Sequence, residues 1–207
     1  VLNSRALRAA RASVVKIEGV APSCSRRIEG SGFVYARDHV MTNAHVVAGE
    51  KQNQQVFTSS GQLFPARVVL YDPDRDIAVL YVPGLGARPL PFSHPAQTGA
   101  SAIVAGYPLD EPFTAVAARV GGMENARSPD IYHSTQVTRQ IYAIRAKIKP
   151  GNSGGPLLAP DGQVYGVVFA AAVSVPQTGY ALTGDEVASD ARAGATATGP
   201  VSTGLCD

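Results

Sequence analysis

One serine in this chain is hemmed in by turn-forming residues, in the run Lys149-Pro150-Gly151-Asn152-Ser153-Gly154-Gly155-Pro156-Leu157. Glycine and proline at that density build a tight turn that another molecule can approach closely, which suits a hydroxyl meant to act as a nucleophile. The plainer alternative is a Gly-rich turn whose serine merely faces solvent. A serine nucleophile needs a base to take its proton and a third group to hold that base, so the test lies elsewhere in the chain.

Chain order narrows the chemistry. Gly151-Asn152-Ser153-Gly154-Gly155 also fits the G-x-S-x-G turn of α/β-hydrolases, but that arrangement needs a histidine after the serine, and no histidine follows His133. The remaining acyl-transfer orders place histidine first. His45 stands in Met41-Thr42-Asn43-Ala44-His45-Val46-Val47, where a strand runs into a turn. A lone histidine among apolar residues is ordinarily a packed core residue; in company with Ser153 it is the expected general base. For the orienting carboxylate there are Asp72, Asp74 and Asp76, which around Pro73 read first as turn formers. Asp76 differs because it leads straight into Ile77-Ala78-Val79-Leu80, so its charge sits at the mouth of a buried element and needs a partner. Asp72 and Asp74 are expected to be solvated.

The elements that must carry these residues are mostly strands. The 21 glycines and 15 prolines punctuate short runs rich in Val, Ile, Phe and Tyr. After a short helix capped by Asn3 or Ser4 and ending near Ser13, Val14-Val15-Lys16-Ile17 favours β structure. Strands are expected at 32–36, 40–43, 55–58, 63–70, 77–82 and 101–105, then at 114–120, 131–138, 142–148, 156–158, 164–171 and 180–182. Two successive sets predict two small β-barrels in tandem, joined between Ala105 and Pro112, with helices only at the ends and a cleft between barrels for a site. The expected bounds are a helical segment at 1–13, a first barrel at 14–108 carrying His45 and Asp76, a second at 109–183 carrying Ser153, and a helix and tail at 184–207. Thr183-Gly-Asp-Glu186 forms a capping box for that last helix, which Gly194 stops.

Composition excludes other classes. Charged residues make up 16% of the chain and the net charge is +2, which gives no basic field for nucleic acid. His39, His45, His94 and His133 fall in no metal-binding spacing, so neither metal nor cofactor is expected. The uncharged stretch from Gly162 to Gly184 is broken by Pro176 and Gly179, and its apolar part is about half a bilayer span, so it reads as two core strands with a turn. The Arg- and Ala-rich start lacks the apolar core of a signal peptide, as expected of a domain excised from a longer chain. Cys24 and Cys206 are either two unrelated thiols or a clasp formed in an oxidising compartment. The clasp is the reading retained, and the chain-entropy argument assigns it about 5 kcal/mol.

With these residues in view, Thr-Asn-Ala-His45, Asp76-Ile-Ala-Val-Leu and Gly-Asn-Ser153-Gly-Gly-Pro resemble the motifs of trypsin-like serine proteases, specifically the HtrA/Deg branch. The resemblance runs from Ser13-Val-Val-Lys-Ile-Glu to Gly179-Tyr-Ala-Leu. It implies a chymotrypsin-like pair of six-stranded barrels. It further implies an endopeptidase with Ser153 as nucleophile, His45 as base and Asp76 as its support, and an oxyanion hole made by the N–H groups of Gly151 and Ser153. Phe169, Ala170, Ala171 and Gly179 become the walls of the primary pocket and its floor lies near Lys147, which either points inward and favours an acidic residue or is a solvated strand lysine; the lean is toward apolar residues. Two departures matter. Asn152 stands where trypsin has the aspartate that pairs with a newly cut N-terminus, so activation by that ion pair is not expected. The HtrA/Deg branch usually continues into a PDZ module, whereas the sequence given ends after one capped helix and Cys206, so regulation by such a module is not expected within it; and a clasp between Cys24 and Cys206 resembles a periplasmic, membrane-tethered subgroup linked to acid resistance. The expected partners are protein or peptide substrates, with no nucleic acid, a monomeric state, and membrane attachment only through segments outside this sequence. From its own residues, two glycines, a proline and both charge signs, Gly121 to Asp130 reads as a mobile loop or an ordinary surface turn. The alternative function is a protease-fold binding or chaperone-like module with little turnover.

Overall fold

The computed structural model describes residues 2–50 and 54–207, so Val1 of the expected helical segment lies outside the described residues. Helix α1 spans Arg5–Arg11, α2 Ala44–Val47 and α3 Gly184–Gly194. The strands are β1 Val14–Ala21, β2 Arg26–Ala36, β3 His39–Thr42, β4 Gln54–Phe57, β5 Leu63–Asp72, β6 Ile77–Tyr81, β7 Ser101–Gly106, β8 Thr114–Pro129, β9 Gln136–Arg145, β10 Pro156–Leu158, β11 Val164–Ala171 and β12 Thr178–Thr183.

All ladders are antiparallel and close two barrels, in the orders β1-β2-β3-β6-β5-β4 and β10-β11-β12-β9-β8-β7. The fold is therefore mostly β and chymotrypsin-like. One strand changes sides relative to expectation: β7 pairs with β8 and β10, so it belongs to the second barrel, and β1 supplies the sixth strand of the first. Spacing along the chain could not show this, because the link at 82–100 carries almost no strand signal of its own. A second correction concerns 114–148. Instead of three short strands, β8 and β9 form one long hairpin, and Gly121 to Asp130 lies almost entirely within β8. Gly121-Gly122 does not end the strand; it is absorbed as a bulge where the register shifts between Val120 and Gly122. The segment expected as a mobile loop or surface turn is thus paired strand.

Strand alternation fills each barrel, with Val15, Ile17, Val40 and Leu80 inside the first and Val104, Val120, Tyr142 and Ile144 inside the second. Phe33, Met41 and Ile77 from the first barrel meet Ile103, Ile141 and Leu158 from the second in a further buried cluster. Both end helices cover this seam. In α1, Ser4 Oγ accepts the Leu7 N–H and only Leu7 and Ala10, one turn apart, are buried. In α3, Thr183 Oγ1 accepts the Glu186 N–H at 3.1 Å, and the helix packs on β5 and β6 of one barrel and on β9, β11 and β12 of the other. No helix among the described residues is long and apolar enough to cross a membrane, and Gly162 to Gly184 forms β11, a turn and β12.

Candidate active site

Asp76 occupies the turn between β5 and β6 in a left-handed backbone conformation, φ +63°, which aspartate tolerates better than most residues. Asn43 Nδ2 donates to the Asp76 carbonyl at 2.9 Å and helps hold it there. The carboxylate then turns back onto α2. Its Oδ1 accepts the His45 main-chain N–H at 2.9 Å and its Oδ2 accepts from His45 Nδ1 at 2.7 Å. The carboxylate is buried, with 6% of the side chain exposed, while the imidazole keeps 26%. With Nδ1 carrying the proton toward Asp76, Nε2 is the basic nitrogen. Burial pulls the imidazole pKa down, but the charge and hydrogen bond of Asp76 outweigh it and leave the value above 6.5.

The other two aspartates differ from each other. Asp74 is exposed as expected. Asp72, expected in solvent, pairs with Arg75 at 3.1 Å, because Arg75 reaches across to Glu186 of α3 at 2.8 Å and draws Asp72 into the same network. The loop leading to Asp76 is also fastened to the second barrel. Arg139 of β9, 5% exposed, donates to the Asp74 carbonyl at 2.8 Å and lies 6.0 Å from the Phe169 ring centroid.

Ser153 lies on the turn before β10, half-buried, with Asn152 buried beside it. Its carbonyl accepts the N–H of Ser31 at 2.9 Å. A Cβ on Gly154 would stand 2.3 Å from Thr42 Oγ1, three residues before His45, so the turn abuts the segment carrying the histidine. Within the turn the N–H groups of Asn152, Gly154 and Gly155 are all bonded to backbone carbonyls, whereas those of Gly151 and Ser153 donate to no described residue. Gly151 has φ +96°, and a Cβ there would stand 2.5 Å from the Tyr107 carbonyl, so only glycine fits.

Phe169, Ala170 and Ala171 run along the end of β11 beside Gly179 of β12, with a bulge between Val168 and Ala170 at Phe169. Lys147 is exposed, in keeping with a solvated lysine rather than an inward-pointing floor, and it is Ile148 whose side chain lies over Gly179. Lys147 and Ile148 both lie past the end of β9, which stops at Arg145. Cavities of about 180 and 90 Å³ adjoin this region, the first lined by Lys147, Ile148 and Ala171, the second by Lys147, Lys149 and Asn152. A larger one of about 300 Å³, walled by Phe92, Tyr142, Tyr165 and α3, contains none of His45, Asp76, Ser153 or the primary-pocket residues and is a separate feature. Among the described residues one acidic cluster, Glu18, Glu29 and Asp110, has the density of a metal site. Lys16 and Arg27 already neutralise it.

Cys24 and Cys206 are joined in a disulfide across 182 positions. It fixes the tail beside α2: Gly49 N–H donates to the Thr203 carbonyl at 3.1 Å, and Thr203 Oγ1 donates to the Glu50 carbonyl. Two buried polar residues near the site escaped sequence reasoning. Ser31 stands in a Gly-Ser-Gly run inside β2, and that run of small residues was the available signal. Glu50 follows α2, and nothing in the sequence marks it as buried.

The trypsin-like peptidase domain family matches residues 30–167. Over 209 residues the chain is 47% identical to the serine protease Rv3671c of Mycobacterium tuberculosis H37Rv, covering 100% of this chain and 52% of that protein. It is 33% identical over 175 residues to the serine protease Do-like HtrA of Lactococcus lactis subsp. lactis, covering 77% of this chain and 43% of that protein. The chain thus spans about half the length of the curated relatives it matches. The crystal structure of the Rv3671c protease from M. tuberculosis in its active form superimposes with a TM-score of 0.95 at 48% identity, covering 99% of this chain and 90% of that one. On sequence and fold together, the chain belongs to the trypsin-like serine proteases, in their HtrA-related branch.

Proposed function

We propose that this domain is an endopeptidase that cleaves peptide bonds through an acyl-enzyme, with Ser153, His45 and Asp76 as its triad. The observation that carries this is the double grip of Asp76 on His45, which fixes the tautomer with Nε2 free to act as base. His45 Nε2 takes the Ser153 proton as Oγ attacks the scissile carbonyl. The resulting oxyanion is received by the N–H groups of Gly151 and Ser153, which are unengaged while their neighbours are bonded. His45 returns the proton to the leaving amine as the C–N bond breaks. Water then attacks the acyl-Ser153 ester by the same route and releases the acid.

Substrates are protein or peptide segments lying along Phe169-Ala170-Ala171, with the first residue of the scissile bond directed toward Ile148 and Gly179. We place the domain outside the cytoplasm, monomeric, in a parent chain tethered to the membrane by segments beyond this sequence, and serving the envelope under acid stress. The disulfide supports that compartment, as does the relative of Chlamydia pneumoniae named as a probable periplasmic serine endoprotease. A fluorophosphonate probe tests the reading: wild type is labelled and Ser153→Ala is not. Wild type that stays unlabelled overturns it in favour of a protease-fold binding module.

A further inference from the structure

Ser31 belongs to β2 of the first barrel, yet three of its four polar connections run to the second. Its N–H donates to the Ser153 carbonyl at 2.9 Å. Its Oγ donates to the Gly151 carbonyl at 2.7 Å and accepts the Tyr107 N–H at 2.9 Å. Its own carbonyl accepts from Thr42 Oγ1 at 2.8 Å within the first barrel. The residue is 0% exposed, so no water competes for these bonds.

A hydroxyl has one proton. Because the Tyr107 N–H occupies a lone pair of Ser31 Oγ, that proton is directed at the Gly151 carbonyl and pins the peptide plane between Gly151 and Asn152. The plane on the other side of the Gly151 Cα is pinned too, since the Leu109 N–H donates to the Pro150 carbonyl at 2.7 Å. In a trans peptide the C=O and N–H point opposite ways, so holding the Pro150 carbonyl turns the Gly151 N–H away from Leu109. A glycine at φ +96° has no side chain to resist rotation, and its orientation is therefore set by these two outside contacts.

We propose that Ser31 is a positioning residue for the oxyanion hole: from the first barrel its hydroxyl holds the Gly151 carbonyl and its N–H the Ser153 carbonyl, on the peptide planes next to those that carry the two free N–H groups, and so fixes the direction of both. The inference rests on the proposed peptidase reading of Gly151 and Ser153. It makes hole geometry depend on the docking of one barrel against the other. A residue that only glued the barrels together would affect stability; a residue that shapes the hole affects the transition state and leaves substrate binding alone.

The test compares Ser31→Ala and Ser31→Cys with Tyr35→Phe, which removes a remote hydrogen bond from Tyr35 Oη to the Ala191 carbonyl. In Ser31→Ala, kcat on a peptide ester falls about 10- to 100-fold with KM within about a factor of two. Affinity for a peptide boronic acid, whose tetrahedral adduct places an oxygen in the hole, falls by the same factor as kcat. Ser31→Cys, with a weaker donor of similar size, shows an intermediate loss and decides the matter if the alanine variant does not fold. Tyr35→Phe lowers Tm and leaves kcat unchanged. Unchanged kcat in the Ser31 variants, with wild type still labelled by fluorophosphonate, overturns this inference alone, as does a loss that tracks Tm in the way Tyr35→Phe does. Unlabelled wild type overturns the peptidase reading and this inference with it.

Discussion

The Cγ1 of Ile148 stands 2.5 Å from the point where a Cβ on Gly179 would sit, so the isoleucine fills the space that the glycine leaves. The base of the proposed primary pocket is then apolar, and Lys147, exposed beside it, lines its rim rather than its floor. Cleavage is expected after medium apolar residues such as Leu. Ile148→Ala deepens the pocket and raises the preference for Phe over Leu about 10-fold in kcat/KM. A peptide-library profile dominated by Arg or Lys at that position sinks this account.

Asp76→Asn keeps the shape of the side chain but offers Nδ1 an amide in place of a carboxylate. The expected result is a fall in kcat at pH 7 of about three to four orders of magnitude, with Tm close to wild type. Activity within about 10-fold of wild type would remove Asp76 from the proposed triad.

His45 must be neutral to act as base, and Asp76 holds its pKa above 6.5. Turnover therefore falls as pH drops through that raised value, with the slope of a single proton in kcat/KM for a small peptide ester. Full activity at pH 4 contradicts this assignment of His45.

The triad candidates were legible because each sits in a short motif whose chemistry is local: Asp76 before a buried apolar run, His45 at the end of a strand, Ser153 among glycines. Helix ends were legible for the same reason, through Ser4 and Thr183. What stayed hidden depends on partners distant in sequence. That β7 belongs to the second barrel is a matter of pairing with β8 and β10. The Gly121-Gly122 pair reads as a break, yet the ladder with β9 absorbs it as a bulge. Ser31 is an ordinary serine until Gly151 and Tyr107 close around it, and which of Lys147 and Ile148 faces Gly179 is decided past the end of β9, where alternation no longer applies.

Glu50 gives the stability of the fold a pH dependence of unusual sign. The residue is 1% exposed, and neither carboxylate oxygen has a partner among the described residues. It fits because Gly19 beside it has no side chain. Burial pushes its pKa up from 4.5 to about 7, against the smaller opposing pull of the nearby Gln54 side chain. The folded state holds the proton more tightly than the unfolded one, so stability is full below pH 4.5 and is lost as pH rises through about 7. The loss is about 3 kcal/mol. Glu50→Gln should raise Tm by several degrees at pH 8 and change it little at pH 4. Wild type that gains stability over the glutamine variant between pH 5 and 8 contradicts the sign.

The disulfide between Cys24 and Cys206 turns nearly the whole fold into a covalent ring. A single cut by another protease anywhere within that ring, for instance in the exposed turn at Val173 to Gln177, leaves both fragments on one molecule. Such nicked chains migrate as one species in a denaturing gel without reductant and separate into two only when thiol is added. An enzyme working among other hydrolases would thus outlast its first cleavage, because the piece that carries His45 and Ser153 cannot diffuse away from the piece that carries β12 and α3.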